Sequence, residues 1–318
     1  MFHSPLPRTL PAALRDIVDP KVAVRVSAAR DLVPHGGDHR EEVVAALDKA
    51  LTDSNGLVRA AAAEGLGELC ASEALRGLLI CVEDEQQLVR QKAIAALGEI
   101  GDGLAQKRLE RALKDDRPEV RFQAVIAYPR VCSDKRAAMQ KILAATRDED
   151  EHVAHIAFRM GEELADEHGV DEALLARARV CLKHTSGRIR AVSAVILGHA
   201  DDAAADDVLC AIAAGKVDSP EGEDIAAAIE LVGKRKLSSA EPALLRRAFS
   251  GIMGFRRDTF AWHALIALCL LGNERAKRAI VEDVGSLSRS TRTLAVSAVV
   301  RAKRVEAGPV LVALEDRP

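Results

Sequence analysis

The stretch Glu83–Asp102, EDEQQLVRQKAIAALGEIGD, carries the pattern that decides the fold of this chain. Its apolar residues recur at offsets of zero, four, five and eight from Val89, which is the stripe of an amphipathic helix. Arg90 lies at the edge of this stripe. A guanidinium beside a buried face either awaits an anionic ligand or has a permanent structural partner, because an unpaired buried charge is too costly to keep.

The same pattern recurs along the chain at the period of a solenoid. In each of four copies an Asp precedes an Arg by six residues, and successive arginines lie 34, 31 and 31 residues apart. The four pairs are Asp19/Arg25, Asp53/Arg59, Asp84/Arg90 and Asp115/Arg121. A fifth copy, from Asp148, has Ala154 in place of the Arg, and a sixth restores it at Arg190.

We call the helix that carries this pattern in each repeat the pattern helix. Amphipathic segments between the pattern helices predict a second helix in each repeat. A helical hairpin of this size cannot bury a face alone, so hairpins of an outer and an inner helix must stack on one another. The sequence therefore predicts an all-α, right-handed α-solenoid of about nine stacked helical hairpins. We expect one domain over residues 1–318, with regular repeats over 1–200, degenerate repeats over 201–318 and a C-terminal capping helix after residue 304.

The repeats resemble HEAT repeats, of the HEAT-like type first associated with phycobilisome lyases. The spacing of Asp and Arg and the pattern V-R-x2-A-x3-L-G carry the resemblance, strongly over residues 19–200 and weakly over 220–304. The resemblance implies that Asp and Arg form a ladder along the edge of the core that links successive repeats. It also implies a scaffold or binding module more often than an enzyme.

The ladder has a structural and a functional interpretation. A row of arginines could hold a phosphate polymer, but that use requires surroundings without acids, and each Arg here comes with its own Asp. A carboxylate in the turn before a helix can accept hydrogen bonds from an Arg and from exposed backbone amides. We therefore predict a structural ladder formed by the four pairs and by Arg190.

Positions two, three, six and ten residues after the first buried residue of each pattern helix should point to a concave surface. In the fourth to sixth repeats these positions turn apolar, which predicts a groove for a partner peptide or helix. The predicted groove residues are Phe122, Ile126, His155, Ile156, Arg159, Val192 and Val195. The alternative is that local curvature buries these side chains against neighbouring helices.

Charge is divided along the chain. Residues 234–304 contain fifteen basic and five acidic residues, net +10, whereas residues 1–233 contain 29 basic and 40 acidic residues, net −11. The basic region could bind an acidic protein or another polyanion, could drive head-to-tail self-association, or could simply be solvated. Scarce aromatic residues disfavour nucleic acid as the polyanion. The candidate patch is Arg246, Arg247, Arg256, Arg257, Arg275, Lys277 and Arg278.

The composition excludes several other classes. No run approaches the roughly 18 apolar residues of a membrane span, and the N-terminus lacks the features of a signal peptide. We therefore expect a soluble cytoplasmic protein. The six cysteines are scattered through apolar helical patterns without a CxxC pair, so we expect free, buried thiols, with no metal and no cofactor.

Three kinds of helical-repeat enzyme are alternatives to a scaffold. A di-iron hydroxylase would need repeated His-Glu dipeptides, which this sequence lacks. A DNA glycosylase would need an aromatic cleft with an acid, and only Trp262 with Asp258 and the arginines at 256 and 257 comes near that arrangement. A bilin lyase is suggested by the repeat type alone. We therefore predict that the protein catalyses no reaction and has no catalytic residue.

Overall fold

The structure is a computed structural model that describes residues 8–168, 171–252, 255–256, 258–286 and 288–301. The predicted capping helix after residue 304 lies outside the described residues, and so does Arg257. No helix among the described residues is long and apolar enough to cross a membrane.

The described residues form eighteen α-helices. They are α1 (Leu10–Asp16), α2 (Val22–Leu32), α3 (Arg40–Ala50), α4 (Gly56–Glu68), α5 (Leu75–Cys81), α6 (Gln87–Ile100), α7 (Gln106–Ala112), α8 (Pro118–Val131), α9 (Lys135–Ala145), α10 (Glu151–His168), α11 (Glu172–Cys181), α12 (Gly187–His199), α13 (Asp206–Ala213), α14 (Gly222–Lys234), α15 (Glu241–Phe249), α16 (Ala261–Leu271), α17 (Glu274–Val284) and α18 (Arg289–Arg301).

Short elements join some of these helices. Five 3-10 turns span Val33–His35, Ser72–Ala74, Gly103–Ala105, Ala203–Ala205 and Ser238–Ala240. Two strands of two residues each, β1 (Gly251–Ile252) and β2 (Phe255–Arg256), pair antiparallel between α15 and α16. The fold is therefore an all-α repeat fold, as the sequence predicts, with one small strand pair that the helical pattern does not signal.

The helices form nine hairpins in the described residues, α1/α2 through α17/α18. The pattern helix is the second helix of each hairpin, and it packs against the shorter helix that precedes it in sequence. Within each unit the pattern helices also pack directly on one another, from α2 to α10 in the first and from α12 to α18 in the second, so they carry most of the contacts between repeats there. We call the surface formed by positions two, three, six and ten of the pattern helices the inner face.

Glycine allows the pattern helices to approach closely. A Cβ on Gly98 of α6 would lie 2.7 Å from the Cβ of Ala127 in α8, and one on Gly67 would lie 2.8 Å from the Cα of Ala96. Such distances are too short for two carbon atoms that are not bonded. The L-G step of the sequence pattern therefore fixes the spacing of the stacked helices by omitting a side chain.

The chain divides into two compact units, Met1–His168 and Gly169–Pro318. The first contains α1 to α10 and the second α11 to α18, so the boundary falls between the fifth and sixth hairpins. Because repeats in a solenoid contact mainly their neighbours, such a division can also fall within a single domain. The single domain over residues 1–318 stays a prediction.

Candidate functional site

The Arg–Asp pairs of the first unit join consecutive repeats. Each Arg donates two parallel hydrogen bonds to the Asp of the next repeat, with Nε–Oδ2 distances of 2.7–2.8 Å and Nη2–Oδ1 distances of 2.7–2.9 Å. The pairs are Arg25–Asp53, Arg59–Asp84, Arg90–Asp115 and Arg121–Asp148. This fork geometry is the strong, bidentate form of a charge-assisted hydrogen bond.

Both partners are also bound to the backbone. The remaining nitrogen, Nη1, donates to the carbonyl of the Asp six residues earlier in its own repeat, over 2.9–3.0 Å. Each acceptor carboxylate takes a backbone N–H from two residues further on, as Asp84 does from Gln86 at 2.9 Å. Every nitrogen of these guanidinium groups therefore has at least one structural partner, and the charge of each Arg is paired with a carboxylate of the fold.

The ladder shifts the protonation equilibria of its members. Burial raises the pKa of the Asp84 carboxyl, but hydrogen bonds from Arg59 and from the Gln86 amide outweigh it and hold that pKa below its ordinary value. The same balance lowers the pKa of Asp53. The hydrogen bond to Asp84 raises the pKa of the Arg59 guanidinium.

The ladder changes in the second unit. His184, Ser219 and Ser286 stand in turns where the first unit has Asp, and each accepts a backbone N–H from two residues further on. Arg190 and Arg292 still donate to the carbonyl of the residue six positions earlier. The turn function of the Asp is thus kept by His and Ser, although neither side chain can form the carboxylate fork.

The predicted groove residues of the first unit lie half-buried on the inner face. Phe122 and Ile126 of α8 and Ile156 of α10 pack on the core of this unit while keeping part of their surface exposed. His155 and Arg159 lie beside them, and Arg159 forms an ion pair with Glu162 at 2.9 Å. The structure thus brings five of the seven predicted residues together on two stacked helices.

Val192 and Val195 do not contribute to an exposed surface, and this part of the prediction is wrong. Both side chains have no solvent-accessible area. The reason is that α12, which packs against α11, α13 and α14 of the second unit, is buried from Ala191 to Gly198. At this helix the alternative of burial against neighbouring helices holds.

Cross-repeat ion pairs cover the inner face on α4 to α8. Lys92 of α6 pairs with Glu64 of α4, and Arg130 of α8 pairs with Glu99 of α6. The apolar patch formed by Phe122, Ile126 and Ile156 therefore adjoins a surface on which these four charges are paired.

The predicted basic patch separates into bound and exposed residues. Arg247 pairs with Asp258 at 3.1 Å, donates to the carbonyl of Ala213 and lies 5.7 Å from the centre of the Phe260 ring, so its role is structural. Arg275 stacks on Phe249 with its Cζ 3.9 Å from the ring centre.

Of the other patch residues, Lys277 pairs with Glu274 at 2.6 Å, whereas Arg246 and Arg278 are exposed. The side chain of Arg256 and the whole of Arg257 lie outside the described residues.

Sequence reasoning missed a charged cluster on the inner face of the second unit. Glu230 of α14 is 6% exposed and accepts a hydrogen bond of 2.7 Å from Nδ1 of His263 in α16. The same carboxylate oxygen, Oε1, is contacted by Arg301 of α18. An acid inside the apolar segment GEDIAAAIELVG was the available signal.

The described residues show no arrangement of side chains that supports the enzyme alternatives. Asp258, the candidate acid of a glycosylase site, accepts from Arg247 and from the backbone N–H of Phe260 at 2.8 Å. Among the described residues no group of three His, Cys, Asp or Glu side chains is placed to hold a metal ion.

The family model for HEAT repeats matches residues 8–87 and 75–161. These residues are therefore HEAT repeats, and they cover α1 to most of α10 in the first unit. No curated protein matches the chain in sequence.

The chain is similar to several solved structures. YibA of Escherichia coli is 17% identical with a TM-score of 0.60, over 84% of this chain and 93% of YibA. An engineered protein is 18% identical with a TM-score of 0.42, over 58% of this chain and 96% of its own. The complex of CpcE and CpcF of phycocyanin lyase from Nostoc is 18% identical with a TM-score of 0.38, over 93% of this chain and 97% of that one. At these identities the likeness to YibA supports the fold alone.

Proposed function

We propose that this protein, whose residues 8–161 form HEAT repeats, is a non-enzymatic scaffold or adaptor that binds a helix or peptide of another protein. The binding surface is the inner face of α8 and α10. The observation that carries the proposal is the half-buried apolar patch of Phe122, Ile126 and Ile156, edged by His155 and Arg159.

This patch has the chemistry of a site for an amphipathic segment. Apolar side chains that keep part of their surface exposed gain stability when a partner covers them, at roughly 25 cal/mol per Å² of apolar surface removed from water. A partner helix presents apolar residues at intervals of three and four, which matches side chains spaced along two stacked helices. The polar residues at the edge then fix the orientation of the segment.

The protein catalyses no reaction in this proposal, because the charged groups that could act in catalysis are paired within the fold. Asp258 is paired with Arg247, and each arginine of the ladder is paired with an Asp carboxylate of the next repeat. A side chain that already has a full set of hydrogen-bond partners is a poor general acid, base or anion ligand.

The test compares two double variants as baits. Phe122→Ser with Ile126→Ser should remove at least nine-tenths of the partner recovered from the native host, as quantified by mass spectrometry. Ile80→Ser with Leu104→Ser is the matched control, because these apolar residues are 67% and 72% exposed and lie outside the inner face. Circular dichroism checks that both variants stay helical. Equal recovery of the same partner with both baits contradicts the proposal.

A second candidate is binding of a polyanion at α15 and α17. The exposed Arg246 and Arg278, together with Arg275 stacked on Phe249, favour it. Contacts to a polyanion weaken steeply as salt rises, whereas an apolar groove is little affected. A titration of heparin into the protein at 50 and 200 mM salt therefore distinguishes the two candidates.

A further inference from the structure

We infer that the inner face of the second unit carries a recognition site for an arginine side chain, centred on Glu230 and filled in this structure by the chain's own Arg301. A segment of a partner protein that carries an arginine would take the place of Arg301. This site lies in the other unit from the apolar patch and does not depend on the proposed function.

The cluster is built around one buried carboxylate. Glu230 is 6% exposed, and its Oε1 is approached from α16 by Nδ1 of His263 at 2.7 Å and from α18 by Arg301. The two cations are far more exposed, with 26% of the His263 side chain and 46% of the Arg301 side chain open to solvent. The acceptor is therefore fixed in the fold, while its partners reach it from the solvent side.

The comparison with the first unit shows which of these contacts is additional. Glu64 of α4 and Lys92 of α6 occupy the same inner-face positions as Glu230 and His263, and they form a cross-repeat pair. Glu64 is 33% exposed and pairs with a residue that is always charged near neutral pH, whereas Glu230 is buried and pairs with a histidine. Arg301 adds a second cation from one repeat further along the chain.

Electrostatics makes this second cation necessary. An imidazole carries a positive charge only when it is protonated, whereas a guanidinium is charged at every pH that a folded protein meets. A buried carboxylate that loses its cation is strongly destabilising, because its desolvation is no longer offset. Any event that removes Arg301 therefore leaves a site with affinity for another guanidinium.

The chemistry of the ligand follows from the group that it replaces. A planar guanidinium matches a carboxylate better than an ammonium does, and an exchange of one arginine for another leaves the buried charge neutralised throughout. Arg301 competes as an intramolecular ligand, so it lowers the apparent affinity for an external arginine. It lies in the last turn of α18, with nearly half of its side chain in solvent.

The experiment uses the full-length chain and N-acetyl-arginine amide as the probe. Trp262 is the single tryptophan of the sequence and directly precedes His263 on α16, so its fluorescence reports on binding at this site. For Arg301→Ala we expect saturable binding with a dissociation constant at least tenfold lower than for the wild type. The probe should also raise the melting temperature of this variant.

Three controls make the result specific. N-acetyl-citrulline amide, a neutral probe of the same shape, should not bind. Arg301→Ala combined with Glu230→Gln should lose at least nine-tenths of the affinity, because the carboxylate is gone. Arg40→Ala removes an ion pair with exposed Glu73 and should show no rescue by the probe.

If Arg301→Ala does not fold, Arg301→Gln takes the place of the alanine variant in every comparison, because glutamine keeps most of the aliphatic stem. Equal binding by wild type and variant, equal binding of citrulline, or binding that survives Glu230→Gln would each overturn the inference. A negative result for partner binding at the apolar patch would not affect this inference, because that patch lies on α8 and α10.

Discussion

The guanidinium of Arg90 forms two parallel hydrogen bonds with the carboxylate of Asp115, at 2.8 and 2.9 Å, and so ties the third pattern helix to the turn before the fourth. Its third nitrogen donates at 3.0 Å to the carbonyl of Asp84, at the start of its own repeat. One side chain thus closes a turn and also joins two repeats.

Arg90→Ala should lower the stability of the protein without changing its binding to a partner. Both members of the pair are 14% exposed, so the variant leaves the Asp115 carboxylate largely buried and without its cation. We expect a loss of about 2 kcal/mol in the free energy of unfolding, measured by urea denaturation. A variant that unfolds at the wild-type urea concentration would contradict the structural role of the ladder.

Acid should destabilise the protein through the ladder. The folded-state pKa values of Asp53 and Asp84 are lowered, so these groups bind protons less readily in the folded than in the unfolded chain. Their contribution to stability is therefore fully present above the unfolded pKa of about 3.9 and is lost as pH falls through the lower folded value.

Urea denaturation at pH 7, 5 and 3.5 measures this effect. Asp84→Asn should be less stable than the wild type at pH 7 and should lose less stability between pH 5 and 3.5. A variant with the same pH dependence as the wild type would show that Asp84 does not contribute to it.

Gly98→Ala should destabilise the stack of pattern helices. The new Cβ would lie 2.7 Å from the Cβ of Ala127, so α6 and α8 would have to move apart. Alanine stabilises a helix relative to glycine by about 1 kcal/mol, so the steric cost must exceed the net loss by about that amount. We expect a net loss of about 1 kcal/mol in the free energy of unfolding. Gly37→Ala is the control, since nothing lies within 4 Å of its added Cβ. A gain in melting temperature for Gly98→Ala would contradict the close approach.

Cysteine alkylation should separate exposed from buried thiols. Burial, with a smaller effect of Asp84, raises the pKa of the Cys81 thiol to about 11, so almost no thiolate exists there at pH 8. Cys70 is exposed, so the expectation of a buried thiol is wrong at this position, and it should react with iodoacetamide within minutes. Peptide mass spectrometry should find Cys81 unmodified until the protein is unfolded in urea. Equal rates at both cysteines in the folded protein would show that α5 opens readily.

The repeat pattern made the fold predictable because it reports burial directly. Val89, Ile94 and Leu97 are fully buried, as their spacing requires. The inner face was harder to predict, since one position in the pattern has different surroundings in each repeat. Ile126 and Val195 occupy the same position, yet the first is half-buried and the second has no exposed surface.

By itself, the sequence determined the helical repeats, their period and the recurring Asp and Arg positions, because these depend on residues at fixed spacing. The sequence pairs each Arg with the Asp of its own repeat, whereas in the structure the carboxylate partner is the Asp of the next repeat. Only the tertiary structure decided which side chains of the inner face are exposed to solvent and which ion-pair partner each charged side chain has. The contact of Arg301 with Glu230 joins residues 71 positions apart in the sequence. Such a contact depends on how helices of different length and side-chain volume stack, and no local period encodes it.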